Sequence, residues 1–410
     1  MACSGFRRDS RQVDHKSRVL NALALREVDR PPFDLFDECG LLFSGGAYDP
    51  ARRISLSLEE QIDARIRFQQ EFDTDLIFDA PVIGKSEVGF RARLSPQAAE
   101  SFELKQAVFP LTACLWMPWS PHLVARPGRT PREAHVLEYV IEWENGLRLP
   151  LYLETASGNP SGYEHLMHDR EQWPLWKQVF TPDFDGFDYG LLEGMRSAAG
   201  DSVAMYGTAV GPFGALSLLL GLEEAATVFL DDPVFAGELM TFFTDTAIEV
   251  CRDMFRHGVD VVRIGGASTA VLGPRLYERF VLPFHQRMSA AIRQSGGLSI
   301  LHCCGHVNAM LESFARAGWD GLEPLTPPPL GDVTLEDAWR RIGGRLCLKG
   351  NLDPVHLMRF GTPDAVRKEA RRCLEMGGKR GGYILSVADC MAAGTPKEHM
   401  QIVSEVAHRS

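Results

Sequence analysis

Eight short apolar runs separated by helix-length stretches constrain the fold of this chain more than any other feature of its sequence. Two come early, PFDLFD at 32–37 and DLIFD at 75–79. Six follow from about residue 200, at 203–207, 260–264, 298–303, 321–325, 345–349 and 382–387, with helix-compatible stretches such as 223–257 and 274–294 among them. Strand and helix in alternation make a parallel sheet whose crossovers carry the helices outside. Eight such strands close a (β/α)8 barrel of the TIM type, its interior filled by side chains. A doubly wound dinucleotide-binding sheet would need G-x-G-x-x-G after a strand, and Gly265-Gly266 has no third glycine at that spacing.

The stretch 18–37 predicts a helix carrying Val19, Leu20, Leu23 and Leu25, a break at Pro31-Pro32, and the first strand. A second helix is predicted over 58–72. Residues 85–160 differ from the rest: they are rich in proline, hold Trp116 and Trp119, and alternate as HVLEYVIEWENGLRLPLYLE, with Asn145-Gly146 as a turn signal. The expected organisation is one barrel domain over 1–410 with a hairpin-bearing insertion at about 85–160 that covers one end.

A formal net charge of −11 argues against a broad nucleic-acid surface, because such binding draws on clustered Lys and Arg. No apolar run approaches the length of about 20 residues that a spanning helix requires, and MACSGFRRDSRQVDHKSR lacks the apolar core of a signal peptide. The expectation is a cytoplasmic protein with no membrane partner. Nine cysteines without an export signal read as buried thiols or metal ligands rather than a disulfide framework. Cys3 falls in the terminus, and Cys39, Cys114, Cys251, Cys347 and Cys373 sit singly among apolar residues, as small buried hydrophobes do.

Barrel enzymes place their chemistry where strands end in polar residues. SILHCCGHVN at 299–308 and GYILSVADC at 382–390 are two such ends. Side chains alternate along a strand, so a strand continued through the first would point His302 and Cys304 to one face and Cys303 to the other. Cys390, on the last strand's end, can converge on them. One imidazole and two thiolates suit zinc, and three protein ligands leave a position open for catalysis. Spacing alone is equally compatible with ordinary interior residues beneath a loop.

The same residues bring a resemblance into view. HCCG, the following ARAGWDGLEPL, GNLDP at 350–354, FGTPDAVRKEARRCLEMGG, GGYILSVADC and TPKEHM resemble, in order, the uroporphyrinogen-decarboxylase-like superfamily. They are most similar to its zinc- and corrinoid-linked methyltransferases. Upstream segments 18–34, 209–240, 258–268 and 273–288 look like the same family's helices and strands. The decarboxylase branch carries an R-Q-A-G-R segment after its first strand, where this chain reads DECGLLFSGGAY.

The resemblance implies a methyl transfer between a small methylated substrate (a methoxy, methylamine or thiol compound) and the cobalt of a corrinoid (cobalamin) carried by a partner protein, with zinc on His302, Cys304 and Cys390. Self-association as a homodimer is left open. Around that centre, Glu323 can accept from the zinc histidine or contact substrate. Arg263 can bind an anionic group, and His306 can donate a proton or serve as a spare ligand. Asn351 and Asp353 are the candidate cofactor contacts, although Asp353 ahead of Pro354 equally suits a turn or helix cap. Two other readings stand beside this one: a metal-free decarboxylase of a carboxylated substrate, and a binding module whose zinc takes a fourth protein ligand from His306, Cys303 or Glu323.

Overall fold

A computed structural model describes residues 13–36, 58–77, 83–84, 124–127, 136–142, 148–154, 166–182, 184, 187–378, 380–392 and 394–410. In chain order the described strands are β1 (Leu76–Ile77), β2 (Ile83–Gly84), β3 (Val124–Pro127), β4 (Val136–Glu142), β5 (Arg148–Glu154), β6 (Phe187–Asp188), β7 (Ala204–Val210), β8 (Val261–Gly265), β9 (Leu298–His302), β10 (Gly321–Glu323), β11 (Cys347–Leu352) and β12 (Tyr383–Val387). Seven of them form one parallel sheet in the order β1-β7-β8-β9-β10-β11-β12, as the alternating pattern requires. Its strands are mostly buried, β11 and β12 at every residue, which is why they read as apolar runs rather than alternating ones.

The early run 32–37 does not make the expected full strand. Phe33 forms a single parallel bridge to Leu385 of β12, with Asp34 N donating to Leu385 O at 2.9 Å and Leu385 N to Pro32 O at 2.9 Å. On its other side Phe33 O accepts from Asp75 N at 3.0 Å, one residue ahead of β1. The two edges of the sheet therefore meet across one residue. Pro31 and Pro32 have no N–H to give to a ladder, and Phe36, at φ 49°, turns the chain out of the extended region. The observed architecture is a curled, TIM-like sheet of seven strands and one bridge.

The helices lie outside the sheet. The stretch 223–257 is two helices, Leu222–Asp231 and Pro233–Arg256. Pro233 forces Asp232 away from helical geometry, to φ −142° and ψ 78°, and the Asp232 side chain then accepts from Phe235 N at 3.0 Å. The second helix buries Phe235, Leu239, Met240, Phe243, Ala247, Val250 and Met254, a stripe at three- and four-residue spacing. The stretch 274–294 is likewise two helices, Gly273–Phe280 and Leu282–Gln294, with Pro283 in the first turn of the second.

Strands β3, β4 and β5 form a separate antiparallel sheet, in which Glu142 pairs with Arg148. Asn145-Gly146 lies in that connection, outside the described residues, as do Trp116, Trp119, Cys3, Cys39 and Cys114. Cys251, Cys347 and Cys373 are buried. Among the described residues no single helix is long and apolar enough to cross a membrane.

Candidate metal centre

Four neighbouring strands each send one polar side chain toward the same end of the sheet: Arg263 from β8, His302 from β9, Glu323 from β10 and Lys349 from β11. The register is set by backbone pairing, with His302 opposite both Gly265 and Glu323. Glu323 and Lys349 are fully buried. A lone charge at that depth would be prohibitively costly, so the two neutralise each other and recruit further partners. Lys349 Nζ lies 2.7 Å from Glu323 Oε2 and 2.9 Å from Asp34 Oδ2, and sits 4.4 Å from the Phe36 ring centroid.

Burial alone would raise the Glu323 carboxyl, but Lys349, His302 and Arg263 outweigh it and hold it at about 2. Burial would likewise depress Lys349, and Glu323 and Asp34 reverse that, keeping the ammonium above its ordinary range. The second Glu323 oxygen, Oε1, is 3.1 Å from His302 Nδ1 and 3.9 Å from Arg263 Nη1. An ionised carboxylate can only accept, so a neutral His302 carries its proton on Nδ1 and presents the Nε2 lone pair.

His302 shares a site with Cys304 and Asp389. One ligand atom from each lies within 4.8 Å of the others, and among the described residues no fourth His, Cys, Asp or Glu joins them. Burial and the Asp389 carboxylate push the Cys304 thiol up to about 12. Without a cation such a thiol stays protonated at neutral pH, whereas a bound metal would hold it as thiolate. An imidazole oriented by a buried carboxylate, a thiol and a second carboxylate form a donor set that fits zinc with an open position.

Of the residues singled out from sequence, His302, Cys304, Glu323 and Arg263 come together here. Cys303 is buried on the other side, its Sγ 3.2 Å from Gly266 O. Cys390 follows Asp389 but is exposed and outside the grouped atoms. His306 is exposed. Asn351 is buried against Val333 O and the Cys373 thiol. Asp353 accepts at Oδ1 from Val355 N and His356 N, both at 2.8 Å, and Oδ2 is 2.9 Å from His356 Nδ1. Sequence reasoning overlooks Lys349, Asp34 and Asp389. The available signals are a lysine inside the apolar run CLKGNL, an aspartate inside PFDLFD, and an acid next to a candidate ligand.

A family-wide sequence profile described as Uroporphyrinogen decarboxylase (URO-D) matches residues 177–410, more than half of the chain and all of the site apart from Asp34 and Phe36. The chain belongs to the uroporphyrinogen decarboxylase family. Family relatives of two kinds are about equally distant. The uroporphyrinogen decarboxylase of Carboxydothermus hydrogenoformans is 25% identical over 240 residues, 56% of this chain and 66% of that protein. The methylcobamide:CoM methyltransferase MtbA of Methanosarcina acetivorans is 24% identical over 51% of this chain and 59% of its own length. MtaA of Methanosarcina barkeri, also named a methylcobamide:CoM methyltransferase, is 27% identical over 65% of this chain and 80% of its own. The chain thus covers under two thirds of the length of the first two of these family members. In three dimensions it is similar to a methyltransferase from Methanosarcina mazei, with a TM-score of 0.64 at 16% identity over 97% of this chain and 99% of that one, a likeness of fold.

Proposed function

We propose that this family member is a zinc-dependent methyltransferase that moves a methyl group between a small methylated substrate and the cobalt of a corrinoid carried by a partner protein. The observation that carries the reading is the convergence of His302 and Cys304 on the turn after β12, with Glu323 behind the imidazole. The relatives named methylcobamide:CoM methyltransferases support it. Cys390 is the third donor implied by the family resemblance, and the same turn offers Asp389.

Zinc bound here supplies Lewis acidity, which favours the thiolate form of a substrate thiol or polarises a methoxy oxygen. The chain's own residues prepare the site. Lys349 and Arg263 keep Glu323 ionised, Glu323 fixes the His302 tautomer, and the Phe36 ring packs 5.8 Å, centroid to centroid, from the imidazole. The segment 85–160, proposed as an insertion into a single barrel domain, is where substrate choice would reside.

The test combines metal analysis with turnover. Purified protein should hold about one zinc per chain, as a three-ligand protein site requires. Methylated amines, methoxyaromatics and thiols supplied with a corrinoid protein should then change the cobalt's visible spectrum. A decarboxylase is the second reading, favoured by the relatives bearing that name. Zinc-free protein that decarboxylates a carboxylated tetrapyrrole, undisturbed by His302→Ala, would establish it instead.

A further inference from the structure

The helices Pro363–Gly377 and Lys397–His408 pack against each other outside the sheet, and the first of them ends ahead of β12, at the end of the sheet away from the metal centre. A cavity of about 360 Å³ opens between them there, with Pro31 and the buried Leu374 and Val406 as its apolar lining. That volume falls within the range of about 300–1,000 Å³ usual for small-molecule sites. Three guanidiniums line it as well: Arg367 and Arg371 from the first helix and Arg409 from the end of the second. The neighbouring Arg372 is answered by Glu369 and by Glu336. The Arg371 and Arg409 side chains, by contrast, make no ion pair or hydrogen bond among the described residues, and Arg367 meets Glu405 at 3.5 Å. Glu375 also lines the cavity and pairs with none of the three.

Arg367 and Arg371 stand four residues apart on one helix face, and like charges at that spacing cost helix stability. Arg409 adds a third from the neighbouring helix. In a chain of net charge −11, such a local excess of positive charge runs against the surface at large. Guanidinium forks match the oxygens of a carboxylate or phosphate, so an oxyanion among them turns repulsion into charge-assisted hydrogen bonds. The apolar lining beside them has no use for a bare inorganic anion. We infer that this cavity binds a small organic anion, a carboxylate or phosphate monoester on an apolar body, its oxygens held by Arg367, Arg371 and Arg409 and its body covering Pro31, Leu374 and Val406. The site does not depend on zinc, and the proposed methyl transfer makes no use of it.

Isothermal titration calorimetry of the full chain with α-naphthyl phosphate and with α-naphthoate tests the site. At least one should bind, and the tighter of the two names the head group. The matching small anion, inorganic phosphate or acetate, should bind about tenfold or more weakly, because it leaves the apolar lining uncovered. Arg371→Gln and Arg409→Gln should each weaken the tighter probe by about tenfold or more, the loss of a charge-assisted hydrogen bond. Both side chains are exposed, so the fold should survive, and Arg371→Gln should leave the urea midpoint unchanged or raised as the repulsion with Arg367 is relieved. Glu375→Gln should tighten binding, since it removes a negative charge from the lining. Failure of both probes to bind would overturn the site. So would equal binding by the wild type and both arginine variants, or inorganic phosphate and acetate bound as tightly as their naphthyl counterparts.

Discussion

Lys349 Nζ lies 2.7 Å from Glu323 Oε2, and both side chains are withdrawn from solvent. Such a pair stabilises little against a well-packed apolar alternative, but removing one member leaves the other charged and unpaired. Lys349→Met would strand Glu323 and Asp34 together. The expected loss is about 3–5 kcal/mol of folding stability, the usual result of breaking a buried pair. Urea unfolding followed by circular dichroism measures it, and a loss under about 1 kcal/mol would show that the pair carries no such weight.

Glu323 reaches the metal centre only through His302, across 3.1 Å to Nδ1. Its effect on the metal should therefore be read as a change in affinity, measured apart from the stability lost when its pair with Lys349 is broken. Glu323→Gln keeps the shape and can still accept from Nδ1–H, but it gives up the negative charge that makes the imidazole a better donor. Zinc affinity should drop by about 10–100-fold, the range found for groups that orient a metal-bound histidine. Competition with a zinc chelator gives the ratio. Unchanged affinity would mean that Glu323 serves Lys349 alone.

The strands of the parallel sheet are legible in the sequence because both of their faces are buried, which makes each a continuous apolar run bounded by turns. The bridge at Phe33 is not, since PFDLFD has the composition of a strand and only the geometry of Pro32 and Phe36 shortens it. The break at Pro233 is legible in retrospect from Asp-Pro, a capping residue ahead of a residue that cannot donate. At the centre, His302 and Cys304 stand out because ligand types cluster at a strand end. Lys349 and Asp34 do not, because a single charged residue in an apolar run gives no sign of a partner hundreds of residues away. Asp389 is hidden by its neighbour, because thiolate preference draws attention to Cys390.

Asp353 offers a clean separation of roles. Its oxygens are spent on two backbone N–H groups and on His356, the work of a cap. Asp353→Ala should cost about 1 kcal/mol, within the usual range of about 0.5–2 for a lost cap. Zinc content should stay the same. A stability change near zero accompanied by loss of binding to the methylated corrinoid protein would instead assign Asp353 to cofactor contact.

At the opposite end of the sheet, His15 ties the helix His15–Leu23 to the start of β1. Its Nε2 is 3.3 Å from Asp73 Oδ1 and its Nδ1 is 2.9 Å from Asp75 Oδ1. Hydrogen bonds to Asp73 and then Asp75 raise the imidazole to about 9, against an ordinary value of 6.5, despite partial burial. A histidine whose folded-state value is raised stabilises the fold fully below its unfolded value and loses that contribution as pH rises through the folded one. The advantage of the wild type over His15→Gln should thus be greatest below pH 6.5, shrink above it, and be gone once pH passes about 9. Urea unfolding of both proteins at pH 6, 7.5 and 9.5 traces the difference. An advantage that grows with pH would mean that His15 is held neutral and that the two aspartates answer to Arg18, Arg30 and His408 alone.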